Sequence, residues 1–232
     1  MNKSKIILVA NSSILNPGKI NPYENLSVNY SVYLNTLLYS NWLEIFESLK
    51  EQYEIYSVLN DFDREYLPKN FIPQHIKHSF FEETELENLT AFLSKKLSIE
   101  NSKTMVLFYN SIGINQSDFN RTFNLVQAEE PSMVIGKSTN RAIAFVCTYG
   151  LYKDKFDQLF KSHKNYDAYL KHLSNKDVFV HTLDNFLAVD NFDDIKKLYI
   201  ELSKKESLSY CSKKMHESFN DLFIEYKEIL NV

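Results

Sequence analysis

The residues with chemistry to offer sit in short polar loops that follow apolar runs. Lys19, Lys137 and Arg141 carry positive charge in such loops. Cations can neutralise an anionic group of a ligand, and arginine does so through two parallel hydrogen bonds. Ser12, Asn110, Ser111 and Asn140 add the hydroxyls and amides that line a ligand pocket. The candidate acid is Asp190, in the segment LAVDNFDDIKKL from Leu187 to Leu198. Each also has a plainer account: three exposed surface cations, and an aspartate that serves a turn. Asn191 can cap the following helix, and Asp193 and Asp194 suit its positively polarised N-terminus.

Other constellations are weak. His75 and His78 fall on opposite faces if their stretch is extended, so they do not share a metal. His163, His172, His181 and His216 lack HExxH spacing, and no GxSxG elbow occurs. Neither GxGxxG nor GxxxxGK[ST] is present. Cys147 and Cys211 lack CxxC spacing and read as reduced thiols. Asp61, Asp63 and Glu65 suggest a surface turn, and the acidic run Glu82 to Glu87 a solvated helix start. Tyr23, Tyr30, Tyr33 and Tyr39 suit either a sugar or base pocket or packing between helix and sheet.

The elements that must position these residues alternate in period. Apolar, β-branched runs at Ile6–Ala10, Tyr53–Leu59, Ile76–Phe80, Thr104–Tyr109, Met133–Gly136, Ala142–Cys147 and Asp177–Thr182 read as strands. Helical spacing marks Leu26–Lys50, Glu83–Leu97, Ser117–Gln127, pieces of Lys153–Leu173, Asp193–Ser203 and Ser212–Leu230. Such alternation implies an α/β fold with a mixed, mostly parallel sheet covered by helices on both faces. In such sheets ligands bind beyond the carboxyl ends of the strands. Gly113, Gly136 and Gly150 come just after predicted strands, and sharp turning is the simplest account of each. The last helix carries one apolar stripe from Met215 to Leu230, which docks on its own domain or on a second copy. Residues 1–203 thus form one domain, and 204–232 a C-terminal amphipathic helix.

The totals exclude several classes. With 44% hydrophobic and 24% charged residues, the chain is ordinary for a folded protein. A net charge of −4 gives no electrostatic footprint for nucleic acid. No apolar run reaches the roughly 20 residues of a membrane span. A cytoplasmic protein without nucleic-acid or membrane partners is expected.

Pro17-Gly18-Lys19, the turn Tyr109–Gly113, the unit MVIGKSTNRAIAFVC from Met133 to Cys147 and the segment Ala188–Ile195 carry a resemblance. On them the chain resembles the GT-A-like nucleotide-diphospho-sugar transferase superfamily. More narrowly, it is similar to a bacterial glycosyltransferase-like branch related to the guanylyltransferases of cofactor synthesis. The likeness runs from about Ile6 to Leu202 and implies a GT-A/Rossmann-like three-layer sandwich. It also implies that Lys19, Lys137 and Arg141 lie on adjacent strand-end loops.

The departures matter as much. The family's phosphate-contacting Lys-Thr-Arg triplet reads Asn21, Pro22, Tyr23 here. Its metal-holding aspartate after the central strand is Asn110, and its Asp-Gly-Gly is Asn140, Arg141, Ala142. The Asp-x-Asp-Thr-x-Glu-Asp-Leu element begins with Ala188 and keeps Asp190. Magnesium is held by carboxylates and substrate phosphates, so the divalent site is expected to be lost and no cofactor is expected. The resemblance therefore implies a degenerate, non-catalytic relative that binds a nucleotide, a nucleotide sugar or a partner. The alternative is a metal-independent glycosyl- or nucleotidyltransferase. A homodimer through the last helix is a further expectation.

Overall fold

The computed structural model describes residues 3–82, 89–97, 102–128, 131–150, 156 and 158–230. The acidic run after Glu82, the start of the helix expected at Glu83 and the start of the stretch expected at Lys153 lie outside the described residues.

Eight strands form one sheet in the order β3-β2-β1-β4-β7-β6-β8-β5. They are β1 (Lys5–Val9), β2 (Glu54–Asn60), β3 (Ile76–Phe81), β4 (Lys103–Phe108), β5 (Ser111–Ile112), β6 (Ser132–Ser138), β7 (Ile143–Tyr149) and β8 (Phe179–Ala188). β1, β2, β3 and β4 run parallel to one another. β7 is antiparallel to both β4 and β6, and β8 returns parallel to β6. The carboxyl ends of β1, β4 and β8 therefore share one edge of the sheet.

Period-2 alternation explains the layering. Ile6 and Leu8 of β1 enter one core with Trp42, Phe46 and Phe119, while Ile7 and Val9 enter the other with Phe156, Leu159 and Tyr169. The first core is roofed by α1 (Val28–Leu49) and α3 (Gln116–Leu125), the second by α2 (Leu89–Leu97), α4 (Leu159–Ser162) and α5 (Tyr166–Leu173). This is the expected α/β architecture with helices on both faces. α1 starts where the Ser27 side chain accepts the Tyr30 N–H at 3.3 Å.

A third core joins Leu34, Leu37 and Leu38 of α1 to Ile195 and Leu198 of α6 (Phe192–Leu202) and to Phe219 and Leu222 of α7 (Lys213–Glu225). Met215, Phe219, Leu222 and Phe223 of the C-terminal stripe are buried there, within the chain. The helix expected to run to Leu230 breaks at Tyr226 and resumes as α8 (Lys227–Leu230). Tyr226 turns its ring edge-on to Tyr30, with centroids 4.8 Å apart.

Two expectations need correction. The last strand, expected to stop at Thr182, continues to Ala188 because β6 and the two-residue β5 both pair with its second half. Pairing steps from Gly136–Leu183 to Ser138–Phe186, and Asn185 absorbs the extra residue at φ 79°. Gly136 is not a turn glycine. It lies inside β6, where an added Cβ would stand 2.2 Å from a ring carbon of Phe145 on β7. The glycine leaves room for a buried aromatic ring that also packs on Phe186.

Candidate functional site

At the shared edge, a cleft of about 280 Å³ is bounded by the loops after β1, β4 and β8. Its lining includes Asn11, Ser12, Tyr23, Tyr109, Asn110, His163, Lys164 and Asp190.

The first wall is the loop after β1. Asn60 caps a short 3-10 turn over Asp61–Asp63 by accepting the Phe62 N–H at 3.0 Å. That turn drives the Asp63 carboxylate, which is fully buried, under the loop. It accepts the Ser13 hydroxyl at 2.6 Å and the backbone N–H groups of Ile14, Leu15 and Asn16 at 2.9, 2.9 and 3.1 Å. Consecutive backbone N–H groups make an anion-binding concavity, and here the chain fills it with its own carboxylate. The surface turn expected for Asp61, Asp63 and Glu65 is thus corrected at Asp63, whose four donors offset the cost of burying its charge.

The second wall is the corner between β4 and β8. Asn110 donates its side-chain N–H to Asp190 Oδ1 at 3.1 Å, and its carbonyl accepts the Val189 N–H at 2.9 Å. Asp190 Oδ1 also lies 3.6 Å from Lys164 Nζ. The Asp190 side chain is 16% exposed and that of Lys164 is 66% exposed. A cation placed at this corner would meet one carboxylate, an amide that presents its N–H, and an ammonium. Among the described residues, no three His, Cys, Asp or Glu side chains gather into a group able to hold a metal ion.

Behind the corner, Asn140 donates to the Ala188 carbonyl at 2.6 Å and to Asp194 Oδ2 at 2.8 Å. Asp194 is fully buried, accepts the Asp190 backbone N–H at 3.2 Å and pairs with Lys197 at 2.9 Å. It ties three segments together, beyond the helix-start duty expected of it. Asn191 does cap α6, accepting the Asp194 N–H at 3.0 Å.

The third wall is His163. Its Nδ1–H donates to the Phe160 carbonyl at 3.0 Å, and its Nε2 lies 3.0 Å from Asn11 Nδ2, the pattern of a neutral imidazole. Its ring stacks on Phe108, with centroids 4.8 Å apart. Burial holds its pKa below the ordinary 6.5. Tyr23 and Tyr109 both donate to Asn35 Oδ1, at 3.0 and 3.4 Å, and burial pushes both phenols well above their ordinary range. They face the cleft as neutral hydroxyls.

Of the candidate acid and pocket residues, Ser12, Asn110 and Asp190 line the cleft. The three cations are not gathered there. Lys19 lies over the Phe62 ring at 4.5 Å. Lys137 reaches Asp184 at 3.7 Å and the Tyr166 ring at 5.1 Å. Arg141 pairs with Asp167 at 2.7 Å. At φ 65°, Arg141 has a left-handed backbone of the kind glycine adopts most readily. Ser111 is buried with its hydroxyl on the Ala144 carbonyl, and Asn140 serves the interior. Of the tyrosine cluster, only Tyr23 reaches the cleft. Tyr39 is buried against Ser57, Tyr30 packs on Tyr226, and Tyr33 donates to the Ser218 carbonyl. Both cysteines are free and buried, and burial pushes the Cys211 thiol up to about 12. Sequence reasoning set His163 aside with the other histidines and missed Lys164, which no local spacing distinguishes from other residues between two short helices.

The fold is that of the nucleotide-diphospho-sugar transferases and nucleotidyltransferases. A protein designated a nucleotide-diphospho-sugar transferase, from Desulfovibrio desulfuricans G20, matches with a TM-score of 0.66 at 14% identity, covering 100% of this chain and 98% of its own. A cytidylyltransferase from Leptospira borgpetersenii serovar Hardjo-bovis matches with a TM-score of 0.54 at 12% identity, covering 98% of this chain and 95% of its own. No protein-family profile matches the sequence, and no curated protein matches it in sequence. Among the described residues, no helix is long and apolar enough to cross a membrane.

Proposed function

We propose that the protein is a degenerate relative of the nucleotide-sugar transferases, a pseudoenzyme that binds a nucleotide or nucleotide sugar in the cleft without metal-dependent catalysis. One observation carries this reading. Asp190, the carboxylate at the cleft's β4–β8 corner, is already shared between the Asn110 amide and the Lys164 ammonium. A divalent cation needs several anionic or carbonyl oxygens, and this corner offers one carboxylate and two donor groups. The filled concavity at Asp63 supports the same reading, because the backbone N–H groups of the first loop are spent on the chain itself.

Calorimetry with nucleotides and nucleotide sugars, in magnesium and then in EDTA, tests it. Equal affinity in both buffers is expected. Binding that appears or tightens strongly only with magnesium would overturn the proposal.

A further inference from the structure

We infer that Lys164 supplies, from the chain itself, the positive charge that holds a phosphate group of the ligand in this cleft. The inference rests on the ligand-binding reading above and names its chemistry: a phosphate monoester or diphosphate met by an ammonium. Among the described residues lining the cleft, Lys164 is the one lysine or arginine. Lys19, Lys137 and Arg141 are directed to Phe62, Asp184 and Asp167. The N–H groups of Ile14, Leu15 and Asn16, which could otherwise grip an anion, already hold Asp63.

The backbone at Lys164 is anchored on both sides. His163 is buried, stacks on Phe108 and accepts the Ile143 N–H at its carbonyl, 2.6 Å away. Asn165 caps α5 by accepting the Ala168 N–H at 3.0 Å. The side chain between these anchors is 66% exposed. Its 3.6 Å separation from Asp190 is longer than the roughly 2.7–2.9 Å of a tight charge-assisted hydrogen bond. An ammonium has three donors, so Lys164 can keep Asp190 and still offer N–H groups to a phosphate. Asn110 and the Asp194–Asp190 backbone bond hold the acid in place independently of the ammonium.

The experiment is a calorimetric titration of inorganic pyrophosphate in EDTA. The parent is expected to bind, Lys164→Met to bind about tenfold to a hundredfold more weakly, and Lys164→Arg to recover much of the loss. Lys19→Met and Lys137→Met are expected to match the parent. The side chain is exposed, so the thermal midpoint of Lys164→Met should stay at the parent value. Equal affinity of parent and Lys164→Met overturns the inference while leaving metal-free ligand binding intact. No pyrophosphate binding by the parent, in EDTA or when magnesium replaces it, also overturns it. Pyrophosphate binding that requires magnesium defeats the underlying reading instead.

Discussion

The loop after β1 and the corner where β4 meets β8 face the same cleft and satisfy their polar groups in opposite ways. At the first, a fully buried carboxylate collects one hydroxyl and three backbone N–H groups. The donors gathered on Asp63 are matched inside the protein, so they have little to give a ligand. At the second, Asp190 is partly open and shares one oxygen between a buried amide and an exposed ammonium. The ammonium has donors to spare. Acid residues therefore occur on both walls, but one organises the fold and the other stays available to solvent and ligand.

Four changes break or sharpen this contrast. Asp63→Ala leaves a buried hydroxyl and three backbone N–H groups without their partner, and it should cost about 3–5 kcal/mol in denaturant unfolding. A cost under about 1 kcal/mol would mean that the first wall is not held by its carboxylate. Asp190→Ala removes an acid whose lysine partner is well exposed, so the same measurement should show a loss of only about 1 kcal/mol.

Arg141→Gly tests the loop after β6. It relieves a left-handed backbone worth about 1–2 kcal/mol. It gives back roughly 0.4–1 kcal/mol in unfolded-chain entropy, and the Arg141–Asp167 pair adds little. A net gain of about 0.5 kcal/mol is expected from these terms, and ligand affinity should not change.

The smallest effect is a slope with pH. Because burial lowers the His163 pKa below 6.5, the unfolded chain takes up that proton first as the solution is acidified. The contribution of neutral His163 is full above pH 6.5 and declines as pH falls below it. His216 is lowered by burial too and acts in the same direction. Chemical denaturation between pH 5 and 8 should show this decline, and His163→Gln should flatten it in part. An unchanged profile in the mutant would place His163 outside the buried wall.

Much of the fold was readable from local pattern. Ile6–Ala10, Thr104–Tyr109 and Ala142–Cys147 announce buried strands through continuous apolar, β-branched runs, and β1, β4 and β7 form there within one or two residues. Asn191 announces a helix start by its type and the acids that follow, and the structure places the cap there. β5 was not readable, because two residues carry no period and exist as a strand only through pairing with Leu187 and Ala188. The second half of β8 hid behind Asp184 and Asn185, residues that elsewhere make turns.

By itself, the sequence determined the alternation of strands and helices and the two-sided core. These are properties of residue type and spacing, and short-range sterics and apolar periodicity enforce them. The tertiary structure decided which charges meet the cleft. Asp63 reaches the first loop across 47 to 50 residues, and Asn11 reaches His163 across 152. Charges separated so far along the chain meet only after the sheet order has brought their loops together. No local pattern could therefore tell the carboxylate that would be buried from the one left open, or single out Lys164 from the other lysines.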